Sequence, residues 1–340
     1  MKYTEDKLHT VDFKKAYVDG INQIITQRHE QARQHRDSYV KEIFANPEKY
    51  RDDFKKMLGW PLVDHQTTGL PKVSAEKLSQ EDDYCIYRMQ FEILEGLKMT
   101  GLFFQAGGDQ RKPLVILQHG GMGTPERIAG FYGSTTNYNN MLHRVRRLGV
   151  HVFAPQLLLR HKDYQVDYDR NAIDTQLKRV GSSITAVEVF GITRILDYFE
   201  AQDYVSSFGM VGMSYGGFYT LCTAAVDTRI RSAISCSFFN KREAINWSDW
   251  TWFKAAEQFD DAEIACLIYP RKLCIEIGDH DPVFECKFGI ESFERLKNIC
   301  GNVGTDWVDF IVFDGNHEFH KDDAPIQRLV EDLMNIDKGQ

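Results

Sequence analysis

The spacing of apolar positions changes near residue 84, and that change divides the chain. Before it, Phe13, Tyr17, Ile21, Ile24 and Ile25 fall on one face of a helical wheel. Tyr39, Ile43 and Phe44 mark a further helical segment. Pro47 interrupts the pattern, Phe54, Met57 and Leu58 resume it, and Gly59 and Pro61 end it. Residues 11–58 are therefore predicted to be helical, followed by a polar stretch to about Asp83.

From Tyr84 onward the period is that of strands. Residues 84–93 and 97–104 read as an antiparallel hairpin around Glu95-Gly96. Further strands are predicted at 114–117, 150–154, 208–211, 231–236, 273–277 and 308–313. Helices are predicted at 138–148, 184–199, 218–226, 284–300 and 325–334. Strands alternating with helices after an opening hairpin specify an α/β fold, a mostly parallel central sheet flanked by helices. The 340 residues fit one large domain with an accessory segment. We expect a catalytic domain over residues 84–338 and an N-terminal helical extension over residues 1–60. Residues 237–262 are unusually aromatic, and the readings are an aromatic cap over a site or a small helix packing its apolar face on the core.

The candidate chemistry lies in Gly212-Met213-Ser214-Tyr215-Gly216-Gly217, between a predicted strand and a predicted helix. A serine in such a turn is pushed out of the sheet, and flanking glycines let strand and helix pass closely. A hydroxyl is a weak nucleophile until a base removes its proton. His317, on the loop after the last strand, is the expected base. His320 is expected on the solvent side of a helix start. In Gly278-Asp279-His280-Asp281 two carboxylates compete to orient that base. Asp281 is favoured, while Asp279 is expected to close the turn with its side chain. His280 reads as a loop residue, because adjacent side chains diverge and do not build a metal site. The oxyanion hole is expected from the N–H groups of Tyr215 and Gly121, with Met122 as the runner-up for the second. His119 is expected to be structural. Trp247 and Trp250 are candidate stacking surfaces for a sugar or aryl group, and Arg160 is a candidate substrate contact.

These segments resemble the α/β-hydrolase family, in its dienelactone-hydrolase-like and acetyl-xylan-esterase-like branch. The matching stretches are His119-Gly120-Gly121, Gly212 to Gly217, Gly278 to Asp281, Gly315 to Glu318, and the strand entry Asp227-Thr228-Arg229-Ile230. The resemblance covers about residues 84–335. It implies the α/β-hydrolase fold and a Ser214–His317–Asp281 triad. It also implies hydrolysis of carboxylic esters, including acetyl esters of carbohydrates, through an acyl-enzyme. Serine, in place of the cysteine of dienelactone hydrolases, points to ordinary esters. Pro155-Gln156-Leu157 and Tyr215 stand where acetyl-xylan esterases carry Arg-Gly-Gln and a glutamine. The alternatives are a peptidase or amidase of the same fold, and a non-catalytic binding protein.

A net charge of −8 disfavours nucleic acid and anionic membranes as partners. No apolar run approaches a membrane span. The polar start Met1-Lys2-Tyr3-Thr4-Glu5-Asp6-Lys7 is expected to carry no secretory signal. Seven cysteines without Cys-x-x-Cys spacing read as free thiols in a reducing cytoplasm. The expected partner is a small-molecule ester, with no metal or cofactor. The N-terminal helices are expected to pack on the core, with a homo-oligomer interface or a partial lid as the alternatives.

Overall fold

In the computed structural model, residues 2–62, 69–159 and 168–336 are described. The chain opens with helices α1 (Val11–Tyr39) and α2 (Pro47–Leu58). Three antiparallel strands follow: β1 (Lys72–Gln80), β2 (Tyr84–Leu94) and β3 (Leu97–Ala106). The centre contains β4 (Lys112–Gln118), α3 (Pro125–Ile128), α4 (Met141–Arg146), β5 (His151–Pro155), α5 (Arg170–Arg179) and α6 (Ile184–Glu200). It continues through β6 (Val205–Met213), α7 (Tyr215–Val226), β7 (Ile230–Cys236), α8 (Asp261–Cys266) and β8 (Lys272–Gly278). The chain closes with α9 (Cys286–Cys300), β9 (Val308–Phe313) and α10 (Ala324–Ile336).

The strands form one sheet in the order β1-β2-β3-β5-β4-β6-β7-β8-β9. From β5 to β9 every pairing is parallel, which requires helical crossovers on both faces. Central strands such as Leu114–Leu117 are therefore wholly buried and read as continuous apolar runs. One face is covered by α2, α6, α7, α8 and α9, the other by α3, α4 and α10. The strand order reverses between β4 and β5, and loops at the carboxyl ends of parallel strands near such a reversal are where ligands bind.

Four elements were not visible in the sequence pattern: β1, α3, α5 and α8. The polar stretch before residue 84 contains β1, an edge strand with Ser74, Ala75, Glu76 and Lys77 all exposed. It forms because β2 offers a free edge, and with only Val73 and Leu78 packed against the core no regular alternation betrays it. Helix α5 has few apolar positions and is held at its start by Asp169, whose carboxylate accepts from the Asn171 and Ala172 N–H groups.

The expected packing of the N-terminal helices on the core holds for α2, whose Tyr50, Phe54 and Leu58 are buried, and for the end of α1 at Ala32 and Arg36. It does not hold for residues 11–28, where Phe13, Tyr17, Ile21, Ile24 and Ile25 are all exposed.

Candidate active site

Ser214 sits between β6 and α7 at φ 59°, ψ −122°, a backbone conformation that costs a non-glycine residue about 1–3 kcal/mol. The surroundings enforce it. The Ser214 N–H donates to the Cys236 carbonyl at 2.9 Å. A Cβ on Gly212 would lie 2.2 Å from the Gly216 carbonyl oxygen, and one on Gly216 would lie 2.2 Å from that of Gln118. Only glycine permits this approach, so the two glycines fix the turn that presents the serine.

His317 Nε2 is 2.8 Å from Ser214 Oγ, and its Nδ1 is 2.8 Å from Asp281 Oδ2. The other carboxylate oxygen of Asp281 accepts from the Val283 and Phe284 N–H groups at 2.7 and 3.0 Å. With Asp281 an acceptor on both oxygens, Nδ1 of His317 carries the proton and Nε2 faces the serine hydroxyl as acceptor. The loop bearing His317 is pinned from α4's approach: Asn137 Nδ2 donates to the His317 carbonyl at 2.9 Å, and Asn139 Nδ2 to that of Phe319 at 2.6 Å. Ser237 Oγ donates to the Glu318 carbonyl at 2.6 Å. Asp279 accepts from the Gly315 N–H at 3.1 Å, which ties the loop after β8 to the loop after β9.

The segment after β4 approaches from the other side. The Gly120 N–H donates to the phenol oxygen of Tyr138 at 2.9 Å. Burial pushes the Tyr138 phenol pKa up, so that oxygen belongs to a neutral hydroxyl. His119 is fully buried. Its Nε2 accepts from the Leu157 N–H at 3.2 Å, so its Nδ1–H donates to the Gly120 carbonyl at 2.9 Å. Gly121 lies against the Tyr215 ring: a Cβ there would be 3.2 Å from Tyr215 Cδ2.

Tyr215 anchors an aromatic wall. Trp247 stacks parallel on it with centroids 5.3 Å apart, and Trp247 meets Phe284 edge-on at 5.7 Å. Phe284 in turn lies 5.6 Å from the His317 ring. Behind this wall is a buried polar network. The Tyr215 hydroxyl donates to Asp249 Oδ2 at 3.1 Å. Arg170 donates to the same oxygen at 2.8 Å, to both oxygens of Glu188 at 3.0 and 2.9 Å, and to the Leu158 carbonyl at 2.7 Å. Burial works against the Arg170 charge, but Glu188, with Tyr219 and Asp249, outweighs it and holds the guanidinium above its usual range.

Several expectations change. Trp250 is only 3% exposed, enclosed by the rings of Tyr215, Phe218, Phe238 and Phe284, so it is a core ring with no face to offer a substrate. Trp247 is half-buried, with one face taken by Tyr215. Arg160 lies outside the described residues. His320 is not on the solvent side of a helix. Its Nδ1 is 2.9 Å from Oε1 of the buried Glu276, and its ring stacks on Phe313 at 4.6 Å. The side chains of Asp279 and His280 do not diverge either: His280 Nε2 is 3.6 Å from an oxygen of Asp279 and of Asp314, all three exposed. Sequence reasoning missed Phe284, Tyr138 and Asn137. The run Asn137-Tyr138-Asn139-Asn140 was the available signal, since asparagine tolerates the left-handed backbone found at Asn139 and Asn140.

No protein-family model and no curated protein matches the chain. Solved structures do match in shape. A candidate acetyl xylan esterase from Bacteroides fragilis NCTC 9343 aligns with TM-score 0.67 at 16% identity, covering 84% of this chain and 80% of that one. A glucuronoyl esterase from Solibacter usitatus aligns with TM-score 0.59 at 14% identity, covering 83% and 91%. Acetyl xylan esterase 1 from Thermoanaerobacterium sp. JW/SL YS485 aligns with TM-score 0.57 at 14% identity, covering 84% and 93%. At such identities the likeness speaks for architecture, and with the sheet order and the turn at Ser214 it establishes that this chain has the α/β-hydrolase fold.

Proposed function

We propose that the protein is a serine hydrolase that cleaves carboxylic esters through an acyl-enzyme. The observation that carries this reading is the hydrogen-bonded line Asp281–His317–Ser214, with both contacts at 2.8 Å. Ser214 Oγ attacks the ester carbonyl carbon as His317 Nε2 takes its proton. Asp281 holds the imidazole in the required tautomer and stabilises the imidazolium that forms. His317 then returns the proton to the leaving alcohol. Water attacks the acyl-enzyme by the same route and regenerates the serine.

The oxyanion is held by the N–H groups of Tyr215 and Gly121. Tyr215 is the first residue of α7, where the helix dipole favours negative charge. Gly121 is preferred to Gly120, whose N–H is already engaged by Tyr138, and Met122 stays the runner-up. The substrate class we favour is acetyl esters of carbohydrates. Two of the similar structures carry the acetyl xylan esterase name, and the half-buried Trp247 beside Phe284 offers an aromatic edge to a sugar ring. In this reading residues 84–338 are the catalytic unit, residues 1–60 are accessory, and residues 237–262 wall the site. Seven free cysteines, five of them buried, fit a reducing compartment such as the cytoplasm.

The test is a comparison of Ser214→Ala with the native chain on p-nitrophenyl acetate and on acetylated xylo-oligosaccharides. The variant is expected to fold and to lose at least about 10⁴-fold in kcat. Retention of more than a trace of activity refutes the mechanism. Activity on aryl acetates without activity on the sugars overturns only the substrate class.

A further inference from the structure

The N-terminal part of α1 stands clear of the body. Its far end is anchored: Arg36 donates to the Ala256 carbonyl at 2.8 Å and pairs with Asp260 and Glu263, while His29 and Arg33 pair with Glu243. Before that anchor, none of residues 11–28 is buried. At about 1.5 Å per residue this is roughly 27 Å of helix with water on all sides.

That helix is amphipathic. Phe13 and Tyr17 are 76% and 74% exposed, and Val18, Ile21, Ile24 and Ile25 are 41–58% exposed. At about 100° per residue these six share one face, on which Lys14 and Arg28 also fall, and Asp12, Lys15, Asp19 and Gln23 lie on the other. Gly20 and the β-branched residues Val18, Ile21, Ile24, Ile25 and Thr26 are poor helix formers. An unpacked helix of this length and composition is marginal in water, so its apolar face needs a cover.

We propose that a second copy of this chain covers it, the two α1 helices crossing antiparallel about a two-fold axis near residue 19. The ridge Phe13, Tyr17, Ile21, Ile25 has i, i+4 spacing and is symmetric about that point. Antiparallel pairing sets Phe13 opposite the partner's Ile25 and Tyr17 opposite the partner's Ile21, and the two-fold repeats each contact. Gly20 lies beside this ridge with no atom within 4 Å of a Cβ built there, so the helices can approach closely near the axis.

The area suffices. Two aromatic side chains about three-quarters exposed and four branched ones about half exposed offer about 500 Å² per copy. Two copies bury about 1,000 Å², the lower bound for a specific interface. Charge opposes pairing less here than over the chain as a whole. The whole chain carries −8 and repels its copies, but residues 11–28 hold Asp12 and Asp19 against Lys14, Lys15 and Arg28. A membrane surface fits less well, because interfacial helices carry a polar face rich in Lys and Arg, and here Asp12, Asp19 and Glu30 lie on it.

The experiment uses the full chain in sedimentation equilibrium across a concentration series, with Tyr17→Glu/Ile21→Glu beside the native protein. The native chain is expected to reach the mass of a dimer. The variant is expected to stay monomeric, its dissociation constant raised about 100-fold or more, with ester hydrolysis unchanged. In a Tyr17→Cys/Ile21→Cys variant a short bismaleimide is expected to join two chains, which neither single variant nor the native protein does as efficiently. A native chain that is monomeric throughout overturns the proposal, and so does a dimer that survives the two glutamates. Sedimentation of the native chain with phosphatidylcholine–phosphatidylserine vesicles, lost in the glutamate variant, assigns the face to a membrane and overturns it as well.

Discussion

Arg170 binds four separate parts of the site wall into one unit, and replacing it should loosen all of them. Its guanidinium is buried and donates to Asp249, Glu188, the Leu158 carbonyl and Tyr219. Arg170→Met keeps much of the volume but leaves the buried carboxylates of Glu188 and Asp249 without their cation. Breaking a buried ion pair from one side costs about 3–5 kcal/mol. Unfolding entropy scales at about 2.1 cal/mol/K per residue, roughly 0.7 kcal/mol/K for this chain, so the midpoint should fall by about 4–7 °C. Calorimetry and urea titration measure this directly. Because Asp249 also holds the Tyr215 hydroxyl at 3.1 Å, kcat/KM for p-nitrophenyl acetate should drop even at temperatures where the variant is fully folded. Arg170→Lys keeps a charge but loses the planar fork, and should fall between the two. A loss below about 1 kcal/mol for Arg170→Met, with unchanged kcat/KM, refutes the reasoning.

Three more outcomes follow from particular contacts. Asp281→Asn retains an acceptor for the Val283 and Phe284 N–H groups but favours the wrong tautomer of His317, so kcat should fall about 10⁴-fold with little change in melting. Gly216→Ala puts a methyl 2.2 Å from the Gln118 carbonyl oxygen, where backbone must shift, and should cost about 1–3 kcal/mol by urea titration and most of the activity. His151 accepts from the Ala106 N–H with Nδ1 and donates from Nε2 to the Tyr204 carbonyl, so the folded protein has no place for a second proton. Burial, with Lys112 nearby, lowers its pKa to about 4. The unfolded histidine takes a proton below about 6.5, so this group's contribution is intact above that pH and declines toward pH 4, by roughly 3 kcal/mol. In His151→Phe that portion of the pH dependence of unfolding should vanish, and an unchanged slope contradicts the assignment.

The parts of this molecule legible in sequence are those whose cause is local. The buried central strands announce themselves as apolar runs, and Ser214 by the glycines its turn needs. The position of His317 after β9 and of Asp281 after β8 could be inferred from strand ends, because loops at those ends converge. What stayed hidden depends on partners distant in sequence. Strand β1 exists because β2 has an open edge, which no property of residues 72–80 records. Trp250 looks like a platform in sequence because an aromatic-rich excursion reads the same whether its rings face in or out. Tyr215 and Phe218 of α7 and Phe284 before α9, with Phe238 from the excursion itself, decide that it faces in. His320 likewise owes its place to Glu276, some forty residues earlier.

The central claim is that Ser214 is acylated during turnover. Intact-mass and peptide mass spectrometry on enzyme acid-quenched during hydrolysis of p-nitrophenyl acetate tests it directly. The account predicts one acetyl group per chain, located on the peptide containing Ser214 and absent from Ser214→Ala. Rapid hydrolysis with no acetylated Ser214 under conditions that trap the intermediate, or acetylation confined to another residue, contradicts it.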